Sequence, residues 1–259
     1  MSIPCKIRPA GLESLPMGYT RLNFLESTGT QYCGATGISP ERLSTITRFE
    51  VTYDKFCVVI STYGTNPKEA YYIDSSTTSK GQVYKDSTTY SFSQNLNIGD
   101  IAEVEINAEQ DYIRVNNSKK YFTNLAKGFK NPRLNIGLFA QAPIPNASAY
   151  MRGKCYFVKM TRAGKAVVNF IPALDPSGRP CMFDTVSKQP SYNAATTGSD
   201  FIVGMTLGQA LKLKDLPAKT ATLDISLPEG YEAYEEVMES IRQAEEKGWT
   251  INKTTYTPT

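Results

Sequence analysis

Apolar and polar residues alternate with a period of two along most of this chain. Phe49, Val51 and Tyr53 alternate with Arg48, Glu50, Thr52 and Asp54, the pattern of a strand with one buried face. Ala102, Val104 and Ile106 alternate in the same way with Glu103 and Glu105, and Ile113 and Val115 flank Arg114. Leu134, Ile136 and Leu138 repeat the spacing. Cys57-Val58-Val59-Ile60 is a continuous apolar run, which predicts a strand covered on both faces. Glu69–Asp74, Gln82–Lys85 and Thr88–Phe92 predict three more strands, the last two joined by a turn at Asp86-Ser87. Asn116-Asn117-Ser118 suits a tight hairpin because asparagine tolerates positive φ. Tyr156–Met160 and Ala166–Phe170 read as a second hairpin, and Asp175-Pro176-Ser177-Gly178 as a turn. Together these signals predict about ten to twelve strands between Arg21 and Val203, with no amphipathic helix among them.

The pattern changes after Gly204. Leu207–Leu213 predicts a short helix that stops near Pro217. Leu223, Ile225 and Leu227 alternate with polar neighbours and predict a strand. A helix is predicted over Tyr231–Lys247, with Tyr234, Val237, Ile241 and Ala244 at helical spacing as its apolar stripe. Its glutamates cluster early and Arg242 and Lys247 lie late, an order that suits the helix dipole. Gly248 is placed to end it. Trp249, Ile251 and Thr254-Thr255-Tyr256 predict a final strand. The tail is thus a β-α-β module, too small to stand alone. Trp249, Tyr234 and Ile241 are its candidate interface residues, set against either the sandwich or another subunit. The organisation expected is an arm over 1–16, a sandwich over 17–205 and the module over 206–259.

Composition narrows the function classes. With 41% hydrophobic residues over 259 positions, the chain has the material for a packed core. Net charge is +3, from 28 basic and 25 acidic residues, too balanced to predict a nucleic acid or a membrane surface as partner. Met1–Pro9 has two prolines and no apolar run, so no secretory signal is expected there. Five cysteines, Cys5, Cys33, Cys57, Cys155 and Cys181, form no C-x-x-C pair, and an odd number leaves at least one unpaired within the chain. Buried thiols are expected. The chain has no histidine, which removes the commonest general base and the Ser-His and Cys-His nucleophile pairs.

Two distant stretches carry a resemblance. One is Leu15-Pro16-Met17-Gly18-Tyr19-Thr20-Arg21-Leu22, continuing Leu25-Glu26-Ser27-Thr28-Gly29-Thr30-Gln31-Tyr32. The other runs from Gly153–Met160 through Asn169-Phe170-Ile171-Pro172-Ala173 and Gly178–Asp184 to Phe201–Gly204. Together they resemble the laminin-G-like, concanavalin A-like jelly-roll domains of phage tail and other virion proteins and of gut-bacterial surface proteins. The resemblance spans roughly Leu15 to Gly204. It implies a mainly β jelly-roll sandwich that binds or builds and does not catalyse. It also implies a virion protein of the tail-fibre, baseplate or head-decoration class, made in a host cytoplasm. Its expected partners are other virion proteins, further copies of itself and a host surface glycan. Two alternatives stay open: a glycan-binding protein of a bacterial cell surface, and a structural spacer that binds no sugar.

Candidate chemistry follows from the aromatics. The chain has 16 Tyr and 11 Phe but one Trp. A pyranose offers an apolar face edged with hydroxyls, which suits aromatic rings beside hydrogen-bonding groups. Tyr71, Tyr72, Tyr84 and Tyr90 are therefore candidate ligand-binding residues, with Tyr112 and Tyr121 nearby in sequence. Glu103 and Glu105 share a strand face, the spacing of a glycosidase carboxylate pair, but lack flanking aromatic residues. No catalytic residue is assigned. Asp86, Asp100, Asp111, Asp175 and Asp184 are scattered loop oxygens, without the dense Asp-rich loop of a strong calcium site. Asp184 is expected to bond backbone in its own turn. No metal and no cofactor are expected. The sequons at Asn116, Asn146 and Asn252 are read as chance matches.

Overall fold

The computed structural model describes residues 15–51, 57–65, 68–85, 88–130, 132–140, 150–195 and 198–258. The predicted arm therefore falls almost wholly outside the described residues, as do Cys5, Tyr53, Asp54, Asp86 and Asn146. In chain order the strands are β1 (Thr20–Arg21), β2 (Phe24–Thr28), β3 (Cys33–Ile38), β4 (Ser44–Glu50), β5 (Val58–Thr65), β6 (Lys68–Asp74), β7 (Thr78–Lys85) and β8 (Thr88–Asn95). They continue with β9 (Ile101–Asn107), β10 (Tyr112–Val115), β11 (Ser118–Tyr121), β12 (Leu134–Leu138), β13 (Arg152–Arg162), β14 (Lys165–Leu174), β15 (Pro180–Asp184), β16 (Gln189–Tyr192) and β17 (Ile202–Gly204). The C-terminal part adds α1 (Leu207–Ala210), β18 (Ala221–Pro228), α2 (Glu235–Glu246) and β19 (Trp249–Tyr256). More strands occur before Gly204 than periodicity predicts, because β1, β3, β16 and β17 are short or lack alternation.

Two sheets face each other. One has six antiparallel strands in the order β3-β12-β5-β6-β7-β8. The other contains a path β11-β10-β9-β4-β13-β2-β17-β18-β19. That larger sheet forks on β13. Arg152–Cys155 pair with β2, whereas Val158–Arg162 pair with β14 on the same side of the strand. From the fork, β14 leads to β15 and β16, and β1 pairs the far end of β14.

The core lies between the sheets. Phe49, Val104, Ile106, Val158 and Met160 meet Ile60, Tyr71, Ile73, Val83 and Ile136, all buried. Alternation explains β9: Ala102, Val104 and Ile106 are buried while Glu103 and Glu105 are not. The sheets approach closely at Gly81, where a Cβ would fall 2.7 Å from Ile113 Cγ2. A satellite cluster of Ile171, Ala173, Cys181 and Phe183 lies under Tyr19 and Tyr192.

The C-terminal module continues the larger sheet. β18 pairs in parallel with β17, and β19 in parallel with β18. Val237, Ile241 and Ala244 of α2 join the same core as Leu223, Ile225, Trp249 and Ile251. The predicted helix is shorter at its start: Tyr231–Ala233 form a 3-10 turn, and Tyr234 is extended at φ −100° and ψ 95° before α2 begins. Tyr234 therefore falls off the apolar stripe. Ser240 takes a buried place on it, donating to Ala210 O at 2.9 Å and accepting from Lys214 N–H at 3.0 Å.

Candidate functional site

Cross-strand partners share a sheet face, and consecutive residues do not. Across β6, β7 and β8 the register pairs Tyr72 with Gln82 and Gln82 with Ser91. The next row on that face is Ala70, Tyr84 and Thr89, and the row on the other side is Asp74, Lys80 and Ser93. Tyr72, Gln82, Tyr84 and Lys80 are half-buried, while Thr89, Ser91 and Ser93 are exposed. Tyr72 and Tyr84 are thus diagonal neighbours, the arrangement in which long side chains on one face reach each other. An amide lies beside them and a column of hydroxyls lies along β8.

The same register divides the four candidate tyrosines. Tyr71, Val83 and Tyr90 form a row on the opposite face, toward the core. Tyr71 is 2% exposed, donates its hydroxyl to Pro40 O at 2.7 Å, and stacks on Phe129 with centroids 5.1 Å apart. Tyr90 packs edge-on against Phe122 beneath the Lys85 ammonium. Tyr71 and Tyr90 are packing residues, which corrects their assignment as ligand-binding residues. Tyr72 and Tyr84 remain. The physical reason is period two: Tyr71 and Tyr72 are adjacent and point to opposite sides.

The face has little acid-base chemistry. Burial and the nearby Asp74 charge push the Tyr72 phenol above its ordinary value, so it stays a protonated donor at neutral pH. Asp74 is itself 2% exposed, and burial raises its pKa. It accepts from Ser76 N–H at 2.9 Å and Cys57 N–H at 3.4 Å and faces Lys80 at 3.8 Å.

The glycosidase spacing at Glu103 and Glu105 resolves differently. Both carboxylates are held by Arg114, at 2.7 Å and 3.0 Å. The loop aspartates are engaged by backbone N–H groups, Asp100 within its own turn and Asp111 across to the segment after β11. Asp100 accepts from Asn97 N–H at 2.8 Å and Asp111 from Leu125 N–H at 2.9 Å. Asp184 accepts from the N–H groups of Asn169, Val186 and Ser187, a set that includes the turn bonds expected of it. Among the described residues no group of three or more His, Cys, Asp or Glu is arranged to hold a metal ion.

The three candidate interface residues also separate. Trp249 is 4% exposed, and its indole N–H donates to Pro217 O at 2.8 Å. Its ring fills the space above Gly178, where φ is +79° and a Cβ would lie 2.6 Å from Trp249 Cη2. Ile241 is 2% exposed. Both residues pack the module against its own chain, the first of the two alternatives. Tyr234 is 53% exposed.

A cleft of about 400 Å³ between β3, β14 and β16 has no counterpart in the sequence reading; Ile38, Val167, Phe170, Gln189 and Ser191 line it. It arises from strands far apart in the chain, so no local pattern signals it.

A scan against models of protein families finds no match, and a search of curated proteins finds none. Among solved structures the chain is similar to a native heptameric SAP-like pentraxin from Limulus polyphemus, at 10% identity and a TM-score of 0.40, over 55% of this chain and 74% of that one. It is similar to domains LG4-5 of the mouse laminin alpha1 chain, at 10% identity and a TM-score of 0.39, over 76% of this chain and 53% of that one. A native glycosidic hydrolase is similar at 14% identity and a TM-score of 0.31, over 55% of this chain and 75% of that one. These likenesses are too distant to speak to binding or activity. The two facing sheets make the chain a mainly β sandwich.

Proposed function

We propose that this chain is a recognition protein without catalytic activity, and that the outer face of β6, β7 and β8 binds carbohydrate. The observation that carries this reading is the pair Tyr72 and Tyr84 flanking Gln82, with Thr89, Ser91 and Ser93 alongside. Aromatic rings meet the apolar face of a sugar, while an amide and hydroxyls meet its edge. The two carboxylates whose spacing suggested hydrolysis are engaged by one arginine, which favours binding over bond cleavage. The setting we infer from the sequence resemblance is a phage virion, in the tail-fibre, baseplate or head-decoration class, with a host surface glycan as ligand.

Multivalent presentation of the protein to a broad glycan array tests this, because avidity registers weak sites. Binding to a defined glycan class is expected, with Tyr72→Ala and Tyr84→Ala each weakening it roughly tenfold. Tyr121→Ala, on the other sheet, should leave it unchanged. Absence of binding under avid presentation would replace recognition with the spacer reading. Binding that survives both tyrosine changes would move the site elsewhere.

A further inference from the structure

The first turn of α2 breaks a local rule. Tyr234 occupies the N-cap position and makes no side-chain cap hydrogen bond, although that position favours Ser, Thr, Asp or Asn. Its ring stands in solvent, and so does much of Met238 one turn later. Tyr234 borders a hollow of about 510 Å³ with Leu207 and Leu211, and Met238 borders a second of about 660 Å³ on the other side of α2. Glu235 and Glu236 line both hollows. Neither glutamate forms an ion pair with a described residue. The result is exposed apolar surface rimmed by unpaired negative charge.

The complement lies at the far end of the same sheet. Tyr121, at the end of β11, is 60% exposed. Among the described residues, the other exposed large apolar side chains away from the start of α2 are Met17, Ile98 and Val186, and none of these follows a lysine pair as Tyr121 follows Lys119 and Lys120. Lys119 Nζ lies over the Tyr112 and Tyr121 rings, at 5.3 Å and 5.1 Å, and neither lysine forms an ion pair with a described residue. β11 begins the strand path that β19, against which α2 packs, ends. The two patches therefore cannot meet within one chain.

We propose that copies of this chain associate head to tail, the acidic apolar first turn of α2 on one copy receiving the basic apolar strand β11 of the next. Such a head-to-tail contact is heterologous and propagates into a ring or a filament. It does not depend on the carbohydrate reading.

Sedimentation velocity of the full chain across ~5–200 µM, at ~50 mM and ~500 mM salt, tests the proposal, because screening weakens exposed charge pairs. Association that weakens with salt is expected. Glu235→Lys with Glu236→Lys, or Lys119→Glu with Lys120→Glu, should each weaken it at least roughly tenfold. Mixing the two reversed proteins should restore association, since each then carries the complement of the other. A wild-type chain that stays monomeric throughout, reversals without effect, or a mixture that stays dissociated would each overturn the proposal. Circular dichroism of both variants separates loss of contact from loss of fold.

Discussion

Asp175 accepts four hydrogen bonds in its turn: from Ser177 N–H at 2.8 Å, the Ser177 hydroxyl at 2.7 Å, Arg179 N–H at 2.9 Å and the Tyr192 hydroxyl at 2.8 Å. Burial works against its charge, but these bonds outweigh burial and hold the carboxyl below its ordinary 3.8. A carboxylate depressed in the folded state adds stability that is complete above its unfolded value. That stability is lost as pH falls through the folded value. Asp175→Asn should therefore cost about 1 kcal/mol near neutral pH and flatten the fall of the urea midpoint in acid. An unaltered acid limb would assign that limb to other carboxylates. The turn itself is legible from Asp175-Pro176-Ser177-Gly178. The bond from Tyr192, seventeen residues on, is not. The tyrosines give the same lesson: period two, applied to Tyr71 and Tyr72, says that one faces in and one faces out. It does not say which, because the choice depends on the register of β6 against β7.

At the scale of elements, hairpins and strands with a charged face are plain in the sequence. Asn116 takes φ 49° between β10 and β11, as its residue type allows, and β9 buries the residues that alternation selects. The start of α2 is less plain. Helical spacing runs back through Tyr234, but Gly230, at φ 78°, opens a 3-10 turn instead. Tyr234 is then left at the cap with no side-chain acceptor for the first N–H groups. Tyr234→Asp supplies an acceptor and places negative charge at the positive end of the helix dipole. It should raise stability by about 1 kcal/mol in thermal or urea unfolding, while weakening association between copies. A variant that gains stability without losing association would show that the ring at this position has no partner.

Across the whole molecule, the fork on β13 and the parallel pairing of β17 with β18 were beyond sequence reasoning. The fork pairs β13 with β2 from far earlier in the chain, and β17 meets β18 across a short helical crossover; none of these segments carries a mark of its partner. What the sequence does show is that the module needs a surface. The structure supplies one within the chain: Trp249 closes over the Gly178 turn of the sandwich. The path from β2 to β19 also fixes the direction of each strand along it. β17 is antiparallel to β2, and β18 and β19 are parallel to β17. The first residues of β2 and the last of β19 consequently lie at the same end of the sheet with β17 and β18 between them, and the Tyr256 side chain spans the gap: Asn23 Nδ2 donates to its hydroxyl at 3.3 Å and its ring lies 5.3 Å from that of Phe24. Tension applied between Asn23 and Tyr256 is transverse to the strands and loads their hydrogen bonds one after another. Single-molecule pulling from those two points should open the module first, at low force, before the sandwich yields. A single high-force rupture would show that the ladders are sheared together. Mechanically, the module is a compliant latch: under load it lets go by unzipping and leaves the two-layer sandwich behind it intact.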